Sequence, residues 1–274
     1  MVGQIMKHLK SSSQNLRELF EQNISVRHIA EPLTSFDYEL PVSTVFSFMK
    51  KHDYDVVGVR RDGLVIGYIE QAPHATGDSI SKLVIPFSST DLVDDTTPLL
   101  VALSLMRQSP RLFVRVLGQV GGIVTHGDLQ KAPVRMWLFG LISLVEMQLL
   151  RLIREAYPDD AWKQFITPKR LGLAEKVLAD RQQRNAAIDL ADCLQLSDKR
   201  EIILGSDVLR DVVGFAAKKH GETLLTELEQ VRNNLAHAQD IVTGYWPQIV
   251  DMADQAETLL RHCEGIVIPS VNAA

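Results

Sequence analysis

Arg232 and His237 stand five positions apart in the stretch RNNLAH (232–237), with Asn233 beside the arginine. Side chains of these types can do acid–base chemistry on a phosphate. A guanidinium is permanently charged and donates two parallel hydrogen bonds to a phosphate. An imidazole exchanges a proton near neutral pH. Asn233 can orient the imidazole or a phosphate oxygen. The same residues also suit the polar edge of a helix. Arg232 would then pair with Glu229 or Glu146, while Asn234 and His237 close the helix end. A second group follows Gly122 in the run GIVTHGD (122–128). The Thr125 hydroxyl, with backbone N–H groups at a helix start, suits a phosphate, and the Asp128 carboxylate can accept from paired hydroxyls. The alternative is that both residues cap the element that follows.

Geometry constrains the first group. Five residues of α-helix turn through about 500°, or about 140° net, so Arg232 and His237 do not share a face of an unbroken helix. They can meet if the helix ends or distorts near His237, or if a two-fold dimer sets one pair opposite its copy. The surrounding helix carries an apolar stripe at Leu224, Leu225, Leu228, Val231 and Leu235, and Arg232 flanks it.

Composition narrows the classes. The chain of 274 residues is 46% hydrophobic and 23% charged, long enough for two domains. Its net charge is -5, spread evenly along the chain, which argues against nonspecific coating of duplex nucleic acid. The two cysteines, Cys193 and Cys263, form no CxxC pair, so no metal site is expected. A reduced, cytoplasmic setting is expected, with no membrane partner. The apolar run 136–150 carries Glu146 and Gln148 and reads as a mostly buried helix. Glu146 there reads as the partner of an arginine or as support for a site. Trp137, Trp162 and Trp246 read as core anchors, and the KK (50–51) and RR (60–61) pairs as solvated surface.

The first half repeats. The runs 54–70 and 111–129 each pair two β-branched segments across a turn. Each follows an amphipathic helix that begins after a proline, Pro41 or Pro98. The order is helix, strand, turn, strand in both copies, with Gly67 equivalent to Gly122 and a period of about 55 residues. Two such units, the second ending in GIVTHGD, resemble a pair of CBS domains, a Bateman module. The resemblance implies an α+β module over residues 22–131 (22–75 and 81–131). It implies an adenine nucleotide ligand, AMP, ADP or ATP, or S-adenosylmethionine, held by Thr125 and Asp128 with Gly122. In the first copy Glu70 stands in place of Thr125, and Pro73 in place of Asp128. At most one site of that kind is therefore expected.

From Ala132 onward helix signals replace strand signals. Thr167 and Pro168 open one helix, Ser197 another, and Ser206 a third that His220–Gly221 is expected to end. An all-helical domain with Arg-Asn-x-x-x-His near its next-to-last helix resembles the HEPN domains. That resemblance covers residues 133–265 and implies an all-α helical bundle that cleaves RNA at a dimer interface without metal, through Arg232, Asn233 and His237. The products would carry 2′,3′-cyclic phosphates, because the RNA's own 2′-OH attacks. Lys218, Lys219, His220 and Arg210, with Arg151 and Arg154, are the expected local positive charge. The whole reads as an α+β sensor followed by an all-α effector, a homodimer with adenine nucleotide and RNA as partners. Its rival is a non-catalytic, nucleotide-regulated dimerisation or docking module. No linker separates the halves, so a mechanical link through the first long helix is expected.

Overall fold

The computed structural model describes residues 13–72, 77–184, 187–237, 239–241 and 246–266. The chain divides into two compact units, Leu19–Val134 and Met1–Glu18 with Arg135–Ala274. Helix α1 (Ser13–Asn23) spans the first division.

Among the described residues, unit Leu19–Val134 holds seven strands in two sheets. In the first copy β2 (Ser35–Asp37) runs through α2 (Val42–His52) to β3 (Val56–Arg61), parallel to it, and β3 turns back into β4 (Leu64–Glu70). The second copy repeats this as β5 (Leu92–Asp94), α3 (Leu99–Leu105), β6 (Arg111–Val116) and β7 (Gln119–Thr125). The helices start directly after Pro41 and Pro98, whose fixed φ suits the extended residue before a helix. Both hairpins close through two left-handed residues, Asp62–Gly63 and Leu117–Gly118, the geometry that matches strand twist. Each bulges at the same place, after Val59 and after Val114. Gly67 faces Val59 and Gly122 faces Val114, so the two glycines hold one position in the motif.

The cores correspond as well. Val42, Val45, Met49, Val57, Val59, Ile69 and Ile80 form one buried cluster. Leu99, Ala102, Met106, Leu112, Val114, Val124 and Val26 hold the matching places in the second copy, all buried. The last member of each set crosses over. A short 3-10 turn (Val26–His28) begins after Ser25, and a second (Ile80–Leu83) after Ser79. The first leads into β1 (Glu31–Pro32), which pairs with β7 of the second copy. The second leads to Ile85, which bridges to Tyr68 on β4 of the first copy. Each copy's leading segment thus closes the other copy's sheet. Alternation in 54–70 and 111–129 announces only the hairpins. Strands of two or three residues, such as β1, β2 and β5, carry no periodicity of their own and are absent from the sequence reading.

In the other unit every described element is helical. The helices are α4 (Ala132–Ala156), α5 (Pro168–Gln182), α6 (Leu196–Gly205), α7 (Asp207–Val212), α8 (Lys218–Ala236) and α9 (Trp246–Glu264). Thr167 caps α5 and Ser206 caps α7 through their side chains. Two boundaries differ from expectation. Gln195, with Asp198, caps α6, and Ser197 lies inside the helix. The helix from Ser206 ends at Val212, not at His220–Gly221. Gly214, at φ 76, turns the chain, and His220 and Gly221 sit in the first turn of α8. Gly221 is there for space: a Cβ would lie 2.6 Å from the Phe215 ring. Trp137, Trp162 and Trp246 are all buried. Helix α4 is long and apolar enough to cross a membrane, but half of its most apolar window is buried within the protein.

Candidate functional site

The N-terminal candidates lie where β7 ends. Gly122 makes room for β1: a Cβ would come 3.3 Å from the Glu31 carbonyl oxygen. Gly67 makes the same room, with the Ile85 carbonyl 2.5 Å from its would-be Cβ. Thr125 is the last residue of β7, and a 3-10 turn (His126–Gln130) follows. Asp128 is buried and its carboxylate is occupied. One oxygen accepts from the Thr125 N–H at 2.7 Å and from the Thr125 hydroxyl at 3.1 Å. The other lies 2.9 Å from Lys131 Nζ. Lys131 also bonds Glu31 and the Ile29 carbonyl, and so ties the turn to β1. Burial opposes its charge, but the bonds to Glu31 and Asp128 outweigh that and hold its pKa above the ordinary lysine value. Thr125 and Asp128 are therefore together, joined by Lys131, a residue the motif does not include, while Gly122 lies three residues back on β7, paired with Pro32. With three partners in place, the carboxylate has about one lone-pair site left for a ligand.

In the first copy Glu70 pairs with Val56 as Thr125 pairs with Arg111, so the two positions are equivalent. Glu70 accepts a 2.7 Å bond from Arg111, whose guanidinium lies over the Tyr68 ring. Pro73 lies outside the described residues.

The C-terminal candidates sit at the end of α8. Leu224, Leu225 and Leu228 are buried, and Arg232 is half-buried one side over. The helix stops at Ala236, and His237 is its exposed C-cap (φ -98, ψ 13). Its N–H still donates to the Asn233 carbonyl at 3.1 Å, the i to i−4 bond of the helix, so the backbone keeps helical phase up to the histidine. Three bonds from Arg135 on α4 hold this end, donated to the carbonyls of Asn234, Leu235 and Gln239. A cation on terminal carbonyls is favoured there by the helix dipole. Asn234 closes the turn through its own carbonyl, which accepts from Gln239 N–H at 2.8 Å.

Arg232 is engaged. Its Nε lies 3.4 Å from Glu146 Oε1, and Nη1 donates to Asn233 Oδ1 at 3.1 Å. Lys199 on α6 donates to Glu146 Oε2 at 3.3 Å. One carboxylate in the middle of α4 thus joins α4, α6 and α8. Glu229 pairs with Arg200. The expected basic cluster is elsewhere. Lys218 and Lys219 open α8, 14 and 13 positions before Arg232, about 20 Å away along the axis. Arg210 pairs with Asp207, and Arg151 and Arg154 pair with Glu155 and with Asp189 and Asp192. A cavity of about 410 Å³, lined by Phe215, His220, Leu224 and His262, lies at the N-terminal end of α8, away from His237. Among the described residues no group of three or more His, Cys, Asp or Glu could hold a metal.

Arg135 and Lys199 escaped the sequence reading. Arg135 is visible as a cation in an apolar helix. Lys199 meets Glu146 across 53 positions, and no local pattern marks it.

Neither a family model nor a curated protein matches the sequence. Solved structures do. One is the CBS domain of a bacterial CNNM/CorC family Mg2+ transporter in complex with ATP (17% identity, 44% of this chain, 93% of that one, TM-score 0.35). Another is CBSX2 in complex with AMP (18%, 38% and 92%, TM-score 0.33). A third is a CBS domain-containing protein of unknown function from Bacillus anthracis (12%, 41% and 94%, TM-score 0.36). Likeness at this level assigns no family.

Proposed function

We propose that the chain is a homodimeric, metal-independent ribonuclease regulated by an adenine nucleotide. The observation that carries the proposal is the stop of α8 at Ala236. It leaves His237 as an exposed cap one turn beyond Arg232 and Asn233, where a second copy can set its own pair opposite. Self-cleavage of RNA requires a proton to leave the 2′-OH and a proton to reach the leaving oxygen. It also requires charge on the phosphorane to be stabilised. His237 moves the proton, Arg232 binds the phosphate, and Asn233 orients one of them. A second copy supplies a second His237, which divides the acid and base roles. Exposed Met136, Phe139 and Met147 on α4 support such pairing, because α4 runs beside this end of α8 through Arg135 and Glu146. The nucleotide is assigned to Thr125 and Asp128 in the CBS-like pair, with Gly122 setting the strand end.

Purified protein incubated with single-stranded RNA in EDTA is the test. Cleavage to 2′,3′-cyclic phosphate ends that His237→Ala abolishes supports the enzyme. Intact RNA with and without AMP, ADP, ATP or S-adenosylmethionine removes it. The Arg232–Glu146 pair favours a second reading, in which the helical unit dimerises or docks a partner and Arg232 is structural. Intact RNA together with a nucleotide-dependent change in self-association selects that one.

A further inference from the structure

Glu146 holds two cations on two different oxygens: Arg232 on Oε1 and Lys199 on Oε2. Their surroundings differ. The Lys199 side chain is 7% exposed, whereas that of Arg232 is 31% exposed. Lys199 is enclosed, and Arg232 is open to a solute. We propose that this is a partner-exchange site, in which Lys199 keeps Glu146 neutralised while Arg232 leaves it for a phosphate of single-stranded RNA.

The physical reason is the cost of an unpaired carboxylate. Removing one member of a buried ion pair is strongly unfavourable, because the remaining charge is left uncompensated, and Glu146, at 24% exposed, bears part of that cost. With Lys199 on the second oxygen, the departure of Arg232 leaves Glu146 paired. Carboxylate and phosphate both accept the guanidinium's parallel N–H groups, so the exchange is of like for like. Asn233, exposed and bonded to Nη1, gives the guanidinium a partner outside the carboxylate. Lys199 and Glu146 are then positioning residues for Arg232. The inference rests on the proposal that this helix end binds RNA.

The experiment measures binding of a 5′-fluorescein-labelled mixed-sequence RNA 12-mer by anisotropy, in EDTA, across a salt series. His237→Ala is the parent throughout, so that the RNA stays intact. Adding Arg232→Ala is expected to weaken binding and to reduce the slope of log K against log salt by about 0.7, the value of one single-strand phosphate contact. Adding Lys199→Met instead is expected to reduce the slope by a similar step of about 0.7, because Glu146 then retains Arg232. Lys199→Arg restores it, and Glu146→Gln tightens binding. A purely structural role for Lys199 moves the melting temperature and leaves the slope alone. If Arg232→Ala lowers the slope and a folded Lys199→Met does not, the exchange is overturned while RNA binding stands. If Arg232→Ala changes neither affinity nor slope, both fall. Should Lys199→Met not fold, Glu146→Gln decides: unchanged or weaker binding overturns the exchange.

Discussion

At the residue scale, most of the chemistry-bearing side chains already have partners. Asp128 holds Thr125 and Lys131, and Arg232 holds Glu146. Asp128→Ala is therefore expected to cost about 1–2 kcal/mol in urea unfolding without nucleotide, as loss of a capping carboxylate does. Equal stability of the two proteins would show that the turn does not depend on it. His237→Ala should leave the midpoint within about 0.5 kcal/mol, since the residue is exposed at a helix end. Cys263 is buried, and burial pushes its thiol up to about 11. In the unfolded chain the thiol ionises at lower pH. Between those values the unfolded state binds fewer protons, so stability falls as pH rises toward 11. Native protein at pH 8 should resist iodoacetamide at Cys263, and peptide mass spectrometry reads the outcome.

At the element scale, the two hairpins carry substitutions of opposite sign. Gly67→Ala forces a Cβ against the Ile85 backbone and should cost about 1–3 kcal/mol or more. Gly121→Ala meets nothing within 4 Å and should gain about 0.5 kcal/mol from reduced unfolded-state freedom. Leu117 is 98% exposed at φ 51, where the first hairpin has Asp62. Leu117→Asn should gain about 0.5–1 kcal/mol by relieving the left-handed strain, measured by thermal unfolding. The sequence showed both hairpins, both post-proline helices, and the equivalence of Gly67 with Gly122, because each is written in local periodicity or turn chemistry. It did not show β1, β2 or β5, which exist only through pairing. The split between α7 and α8 was hidden too, since glycine signals both a stop and a close contact. Gly214 is the stop and Gly221 the contact. At the candidate site, type and spacing marked Arg232, Asn233 and His237; the structure bonds Arg232 to Asn233 and leaves His237 as the exposed cap of the same helix. Arg135, which holds that helix end, and Lys199, which shares Glu146 with Arg232, come from distant positions.

At the scale of the whole molecule, Met136, Phe139 and Met147 remain the exposed apolar residues on α4. Phe139→Glu combined with Met147→Glu should convert a concentration-dependent dimer into a monomer in sedimentation velocity. A monomer already present in the parent at tens of micromolar would remove the proposed pairing. The exchanged edge segments of the repeated pair also set a timetable. Glu31 pairs with Ile123, which follows it by 92 positions (123 − 31). At roughly 5–20 residues per second of synthesis, the segment carrying Val26 and Ile29 waits about 5–20 s for its sheet. The first sheet, closed by Ile85, is complete much sooner. For that interval the nascent chain carries one finished half and one segment whose Val26, Ile29 and Leu33 have no core to enter, which makes residues 25–33 the stretch where a chaperone has most to hold.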